Sequence, residues 1–398
     1  MEYTNWRSSP QNFNPQMRRQ KQSESRSSEL IPLAKLFLKL GIIGFGGPAA
    51  HIAMMHDEVV VKKKWIDEQH FLDLIGATNL IPGPNSTEMA IHIGHEKAGW
   101  KGLILAGLCF IFPAVIITGF LAWLYKEYGQ MPQLQPFIYG IKPAIIAVIL
   151  GAIYPLAQKS LKSALLWAIG GATLLLSLMG YNEIWLLFGA GFLAIVIESF
   201  RFSENRKTFG FFPLFFFTPD PSEISVSNFK LFLIFLKIGA ILYGSGYVLF
   251  AFLDTELVST GMLSRQQLID AVAVGQFTPG PVFSSVTFVG YQINGISGAV
   301  CATVAIFLPS FVFVALLNPL VRVARNSKWF AAFLDAVNVA SVAIIINVCY
   351  NMGRIAITDW KSILVMSAAI IVTFSFRKIN SAFIVLGGAI AGYLLTFV

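Results

Sequence analysis

Two stretches of this 398-residue sequence set helix breakers beside hydroxyls and amides in apolar surroundings. One is IPGPNSTE, Ile81 to Glu88; the other is FTPGPVFSS, Phe277 to Ser285. Proline removes a backbone donor and clashes with the turn before it, so each Pro-Gly-Pro ends one helix and lets another begin. The first break should close a helix at about Leu80 and open one near Asn85, with Asn85 or Ser86 as N-cap. The first N–H groups of a new helix lack intrahelical partners and carry partial positive charge, which suits an anion. Pro82, Gly83, Pro84, Asn85, Ser86 and Thr87 are therefore candidate anion-binding positions. Pro279, Gly280, Pro281, Ser284 and Ser285 are their counterparts. Asn79 and Gln276 stand just before the two breaks and can donate to an oxyanion without titrating.

A second kind of interruption is GFGGP, Gly44 to Pro48, which matches YGSGY, Tyr243 to Tyr247. A dinucleotide loop would need a preceding strand and a further glycine where Ala49 stands, so that reading is rejected. Gly46, Gly47, Gly244 and Ser245 join the candidate site, with close helix packing as the alternative. Lys39 and Lys237 occupy one slot about seven residues earlier, roughly 10 Å along a helix. Each is either a counter-charge for the anion or a lysine reaching for the interface. Glu88 reads most simply as a capping carboxylate; its functional alternative is a proton or coupling site. Asp73 and Asp270 are matched near helix starts and read as caps. HIGHE, His92 to Glu96, has no zinc-motif spacing and no ligands at the matched positions, so it reads as the end of a segment rather than a metal site. No cofactor is implied.

These positions are held by a duplicated chain. LKLGIIGFGG (Leu38–Gly47) aligns with LKIGAILYGS (Leu236–Ser245), and HIGHEKAGWKG aligns with FVGYQINGISG. Asp73 faces Asp270, and Phe112-Pro113 faces Leu308-Pro309. Six apolar segments fall in each half, and paired broken helices in repeated halves point to a transporter site near the bilayer midplane. Lys62, Lys63 and Lys64 follow the first segment of one half, whereas only Arg265 follows that of the other. Such out-of-phase basic loops predict inverted repeats. One scheme has the Pro-Gly-Pro segment of each half re-enter, leaving five spans per half and placing the basic N-terminal tail outside. Twelve plain spans are the alternative.

Composition agrees with a polytopic, all-α membrane protein. Hydrophobic residues make up 56% and charged residues 13%, half the roughly 25% of soluble domains. The net charge of +8 fits loop anchors better than nucleic-acid binding. Residues 1–28 read as a disordered basic tail, 29–200 as the first repeat, 201–228 as a linker and 229–398 as the second repeat. Cys109, Cys301 and Cys349 show no pairing pattern and read as buried thiols.

FGGPAAHIAMMHDEVV (Phe45–Val60), GATNLIPGPNSTEMAIHIG (Gly76–Gly94), YGSGYVLFAFL and AVGQFTPGPVFSSVTFVGY together resemble the chromate transporter family in its long, two-domain form. The resemblance implies export of chromate across the inner membrane and chromate resistance. Sulfate is a similar oxyanion, and a proton or counter-anion is the coupling partner to be expected; a homo-oligomer is compatible with this. No Walker A sequence is present, and no nucleophile–base pair or carboxylate cluster recurs in both halves, which argues against an ATPase or a membrane enzyme. The rivals are a permease importing sulfate or molybdate and a passive channel.

Overall fold

A computed structural model describes residues 29–129, 131–201, 227–244, 246–325, 327–376 and 379–397. The tail assigned to residues 1–28, nearly all of the linker and the candidate Ser245 lie outside the described residues. Each half begins with two broken hairpins. In the first half, α1 (Leu30–Ile43) stops at Gly44, and α2 (Gly47–His56) continues into a π turn, Asp57–Lys62. Next, α3 (Glu68–Thr78) stops before Pro82-Gly83-Pro84, and α4 (Asn85–Tyr128) follows. The second half repeats this with α8 (Asn228–Ile241), α9 (Val248–Leu253) and a π turn at Asp254–Val258. There α10 (Arg265–Phe277) leads through a 3-10 turn at Val282–Ser284 into α11 (Ser285–Arg325).

Both α4 and α11 fold back on themselves. The turn falls at Ala98 and Gly99 (φ 61°, ψ −146°) in one and at Asn294 and Gly295 (φ 62°, ψ −145°) in the other. Only glycine adopts such angles without strain. The two arms then press together at Gly94 and Gly102, and at Gly290 and Gly298, where a Cβ would strike the opposite carbonyl. Small residues of this kind let helices approach closely where no hydrophobic force drives them together.

Contacts at the hairpin ends show that both broken segments return to the face they entered. His70 Nε2 lies 3.6 Å from Glu96, Lys97 Nζ lies 3.3 Å from Glu29, and the same ammonium stands 5.1 Å from the Trp65 ring centroid. In the second half, the Asn294 amide donates to Asn228 at 2.9 Å. The expectation of five spans per half is corrected: the GFGGP segment doubles back like the Pro-Gly-Pro segment, because its glycine break allows reversal. Glu29 consequently sits on the face of Trp65 and the neighbouring lysines, not opposite them.

The remaining helices form the body: α5 (Gln135–Ser160), α6 (Ala164–Leu178) and α7 (Glu183–Arg201) with the long arm of α4, and α12 (Lys328–Ala356), α13 (Trp360–Ser375) and α14 (Ser381–Leu394) with that of α11. Among the described residues five helices are long and apolar enough to cross a membrane, and α6, α13 and α14 are shorter apolar helices. Lys162, just after α5, bonds Asp335 in the second turn of α12 at 2.8 Å. The equivalent helices α5 and α12 thus pack antiparallel, and the repeats are inverted. Ala144, Ile145, Val148 and Ile149 of α5 share one buried cluster with Val337, Ala340, Ile344 and Ile345 of α12, and with Phe235, Phe250 and Phe283 of the second half's hairpins.

Candidate functional site

The four breaks meet in reciprocal pairs. The Gly83 N–H donates to the Leu242 carbonyl at 2.8 Å, and the Gly280 N–H donates to the Gly44 carbonyl at 2.6 Å. Leu242 and Gly44 hold matching places in the gapless alignment of Leu38–Gly47 with Leu236–Ser245. Each Pro-Gly-Pro turn is therefore stitched to the glycine break of the other half. A stripe on the opposite long arm backs each turn. Gly280 packs so close to Ala114 that a Cβ would stand 2.9 Å from it, and the Thr118 hydroxyl reaches Thr278 at 3.4 Å and Ser284 at 3.5 Å. At the other turn, a Cβ on Gly83 would collide with the Glu88 carboxylate and stand 2.6 Å from the Ser310 hydroxyl. Ser310 and Ala114 are equivalent under the repeat, as are Val314 and Thr118. Both glycines also hold positive φ, 138° and 90°.

Helix breaks fall where the prolines require, with α3 ending at Thr78 and α4 starting at Asn85. The cap differs from expectation. Pro84 is the N-cap residue and no side chain caps the helix; Thr87 and Glu88 both donate N–H to the Pro84 carbonyl, at 2.8 and 3.1 Å. Asn85 instead turns its amide to Asn79 at 2.7 Å. The N–H groups left for an anion at this turn are those of Asn85 and Ser86.

Six polar side-chain atoms are buried without hydrogen-bond partners among the described residues. They are Thr87 Oγ1, Glu88 Oε2, His92 Nε2, Gln276 Nε2, Ser285 Oγ and His51 Nδ1. Glu88 is fully buried, and its other oxygen accepts only a long bond, 3.4 Å, from Ser310. Gln276 uses its carbonyl oxygen for the Tyr247 hydroxyl at 3.2 Å and keeps its amide N–H groups free. Buried polar groups are normally satisfied, so Thr87 and Glu88 just after the first break, and Gln276 and Ser285 on either side of the second, ask for a polar occupant.

Other expected residues fall elsewhere. Lys39 bonds Glu58 at 2.9 Å and Lys237 bonds Glu256 at 2.6 Å. Each ammonium is neutralised by a carboxylate of its own half, so neither offers a free counter-charge to the break. The caps expected of Asp73 and Asp270 come from Asp67 and Ser264, whose side chains accept from His70 and Gln267 N–H. Asp270 is buried and accepts a 2.6 Å bond from the Tyr125 hydroxyl. HIGHE is helical and forms the last turns of α4's short arm, the chain reversing just beyond it at Ala98 and Gly99. Among the described residues no three His, Cys, Asp or Glu side chains converge as metal ligands. Cys349 is buried, while Cys109 and Cys301 are half-buried.

A family described as Chromate transporter matches residues 31–195 and 229–393, both halves separately. The chain belongs to the chromate transporter family. It is 31% identical to the chromate transport protein of Cupriavidus metallidurans, covering 91% of this chain and 92% of that one. It is 30% identical to a probable chromate transport protein of Synechococcus elongatus, over 92% and 95%. An uncharacterised transporter of Methanocaldococcus jannaschii is 25% identical over 96% and 98%. No solved structure matches. Membership of this family makes the chain a multi-pass membrane transporter, not an enzyme, and both reciprocal pairs of breaks lie inside the matched residues.

Sequence reasoning passed over His51, Thr118, Thr278 and Ser310. His51 carried a signal of its own, an ionisable side chain one turn past a break in an apolar segment. The hydroxyls become visible only through contacts between the halves.

Proposed function

We propose that this protein exports chromate across the inner membrane and thereby confers chromate resistance. The observation that carries the reading is the reciprocal stitching of two inverted Pro-Gly-Pro turns amid unpartnered buried polar groups. The anion-binding positions are those of the turns, Pro82 to Thr87 and Pro279 to Ser285, with Gln276 and, at the glycine breaks, Gly46, Gly47 and Gly244. Glu88, buried beside the first turn, is the coupling site, since a proton there removes a charge that would repel the anion. A potential negative inside drives each net negative charge outward by about 2.3 kcal/mol per 100 mV. ATP hydrolysis is not needed for such export.

Chromate flux into everted vesicles, with sulfate competition and an imposed pH gradient, tests the reading. Uptake into everted vesicles is expected, sulfate should compete, and Glu88→Gln should weaken the dependence on the pH gradient. Cells carrying the gene should grow at higher chromate than cells lacking it. Greater sensitivity on expression would instead support the runner-up, a permease importing sulfate or molybdate on this scaffold.

A further inference from the structure

The two reciprocal turns differ in what they can tolerate as cargo. Beside the first stands a carboxylate, Glu88, with the hydroxyl of Ser310 and the aliphatic Val314. Beside the second stand the hydroxyls of Thr118, Thr278 and Ser284, and no acidic residue occurs between Phe277 and Ser285. An anion therefore fits the second turn better. It still needs positive charge, and the two matched lysines, Lys39 and Lys237, are bound to Glu58 and Glu256.

His51 meets that need. It is 1% exposed, and its Nε2 lies 2.9 Å from the Gly44 carbonyl, the same oxygen that takes the Gly280 N–H. A carbonyl oxygen only accepts, so Nε2 carries the hydrogen and Nδ1 is left as a bare acceptor. That Nδ1 is buried without a partner. The ring edge packs on Phe110 at 5.4 Å between centroids, and a Cβ at position 44 would stand 3.0 Å from the ring, so Gly44 makes room for it. Along the elements packed against the ring, the ionisable groups are Lys35 and Lys39 on α1, Lys39 being tied to Glu58; His56 on its own helix, tied to Glu68; and on α4 Glu88, His92, Cys109 and Tyr125, with His95, Glu96, Lys97 and Lys101 about its turn and Lys126, Glu127 and Tyr128 at its end. Among the described residues none of them bonds the imidazole, so its charge state is open to control by the cargo.

We propose that His51 is the protonatable counter-charge of the oxyanion site, taking one proton at Nδ1 as a tetrahedral dianion settles at the second Pro-Gly-Pro turn and releasing it as the anion leaves. The proposal rests on the oxyanion reading above and adds a residue and a stoichiometry to it. The proton comes from and returns to water, so each binding event moves one proton and one dianion together.

The test uses the full-length chain in detergent with sulfate as well as chromate, because chromate itself titrates near the imidazole range whereas sulfate stays a dianion. Sulfate affinity is measured between about pH 5.5 and 8.5, around the ordinary imidazole value near 6.5, and proton uptake is followed in weak buffer. Wild type should take up about one proton per sulfate, and its affinity should fall about tenfold per pH unit above the imidazole range. His51→Gln should bind at least about tenfold more weakly, with no proton uptake; a tenfold change corresponds to about 1.4 kcal/mol. His51→Arg, a permanent cation, should regain affinity without proton uptake. Should His51→Gln fail to fold, wild type and His51→Arg decide alone. Wild-type binding with a flat pH profile, or undiminished proton uptake in His51→Gln, overturns the proposal. Proton-linked binding of sulfate without any chromate binding would leave His51 standing and remove chromate as the cargo. Failure of every tetrahedral oxyanion to bind wild type would remove both.

Discussion

Lys237 bonds Glu256 nineteen residues on, and Lys39 bonds Glu58 at the same separation. A duplicated lysine in an apolar helix carries the same sequence signal whether it awaits a ligand or a carboxylate. What decides is a glutamate in the returning arm of the hairpin, which spacing alone did not reveal. The ammonium of Lys237 is one-third exposed and Glu256 is more buried. Lys237→Ala should therefore cost between the ~1 kcal/mol of an exposed pair and the ~3 kcal/mol of a buried one. The double exchange Lys237→Glu with Glu256→Lys should recover most of that stability in detergent melts and leave oxyanion affinity unchanged. A well-folded exchange variant that no longer binds would return the lysine to the anion site. At this scale the sequence was least informative about His51. It has no ionisable counterpart in the second half, where Leu249 or Val248 stands, and its partner carbonyl is defined only by the fold.

Among the elements, the Pro-Gly-Pro breaks were legible to within two residues, because proline's missing N–H acts locally wherever it falls. The tight turns inside α4 and α11 were not. AGW and NGI, aligned in the repeat, carry no proline to mark a break, and their significance lies in a backbone conformation reserved for glycine. Gly295 offers a clean test, since a Cβ there meets nothing within 4 Å. Gly295→Ala should lower stability by about 1–3 kcal/mol through backbone strain alone. An unchanged melting temperature would mean that the arms of α11 do not meet through this turn. The same turn explains why HIGHE belongs to a helix: the chain reverses after it, bringing Glu96 back to His70.

For the molecule as a whole, the duplication and its inversion could be read from Gly, Pro and Lys positions, but the count of crossings could not. Hydropathy scores a hairpin that enters and returns much as it scores a helix that spans. Single cysteines placed at Glu29, Lys64 and Lys97 should all react with an impermeant thiol reagent from one side of sealed vesicles. One placed at Asn228 or Asn294 should react only from the other side. Labelling of positions 29 and 64 from opposite sides would restore the extra span. The antiparallel packing of α5 and α12 makes the same demand, because it fixes the two halves in opposite senses about one shared core.

The stitching of each turn to the opposite half also bears on ancestry. Gly83 finds its acceptor only at Leu242, and Gly280 only at Gly44. A half-length forerunner could not have completed either turn by itself. It would have needed a second copy lying upside down beside it in the same bilayer, so insertion in both orientations had to come before fusion. Fusion then freed the two turns to diverge, leaving an acid beside one and a base beside the other.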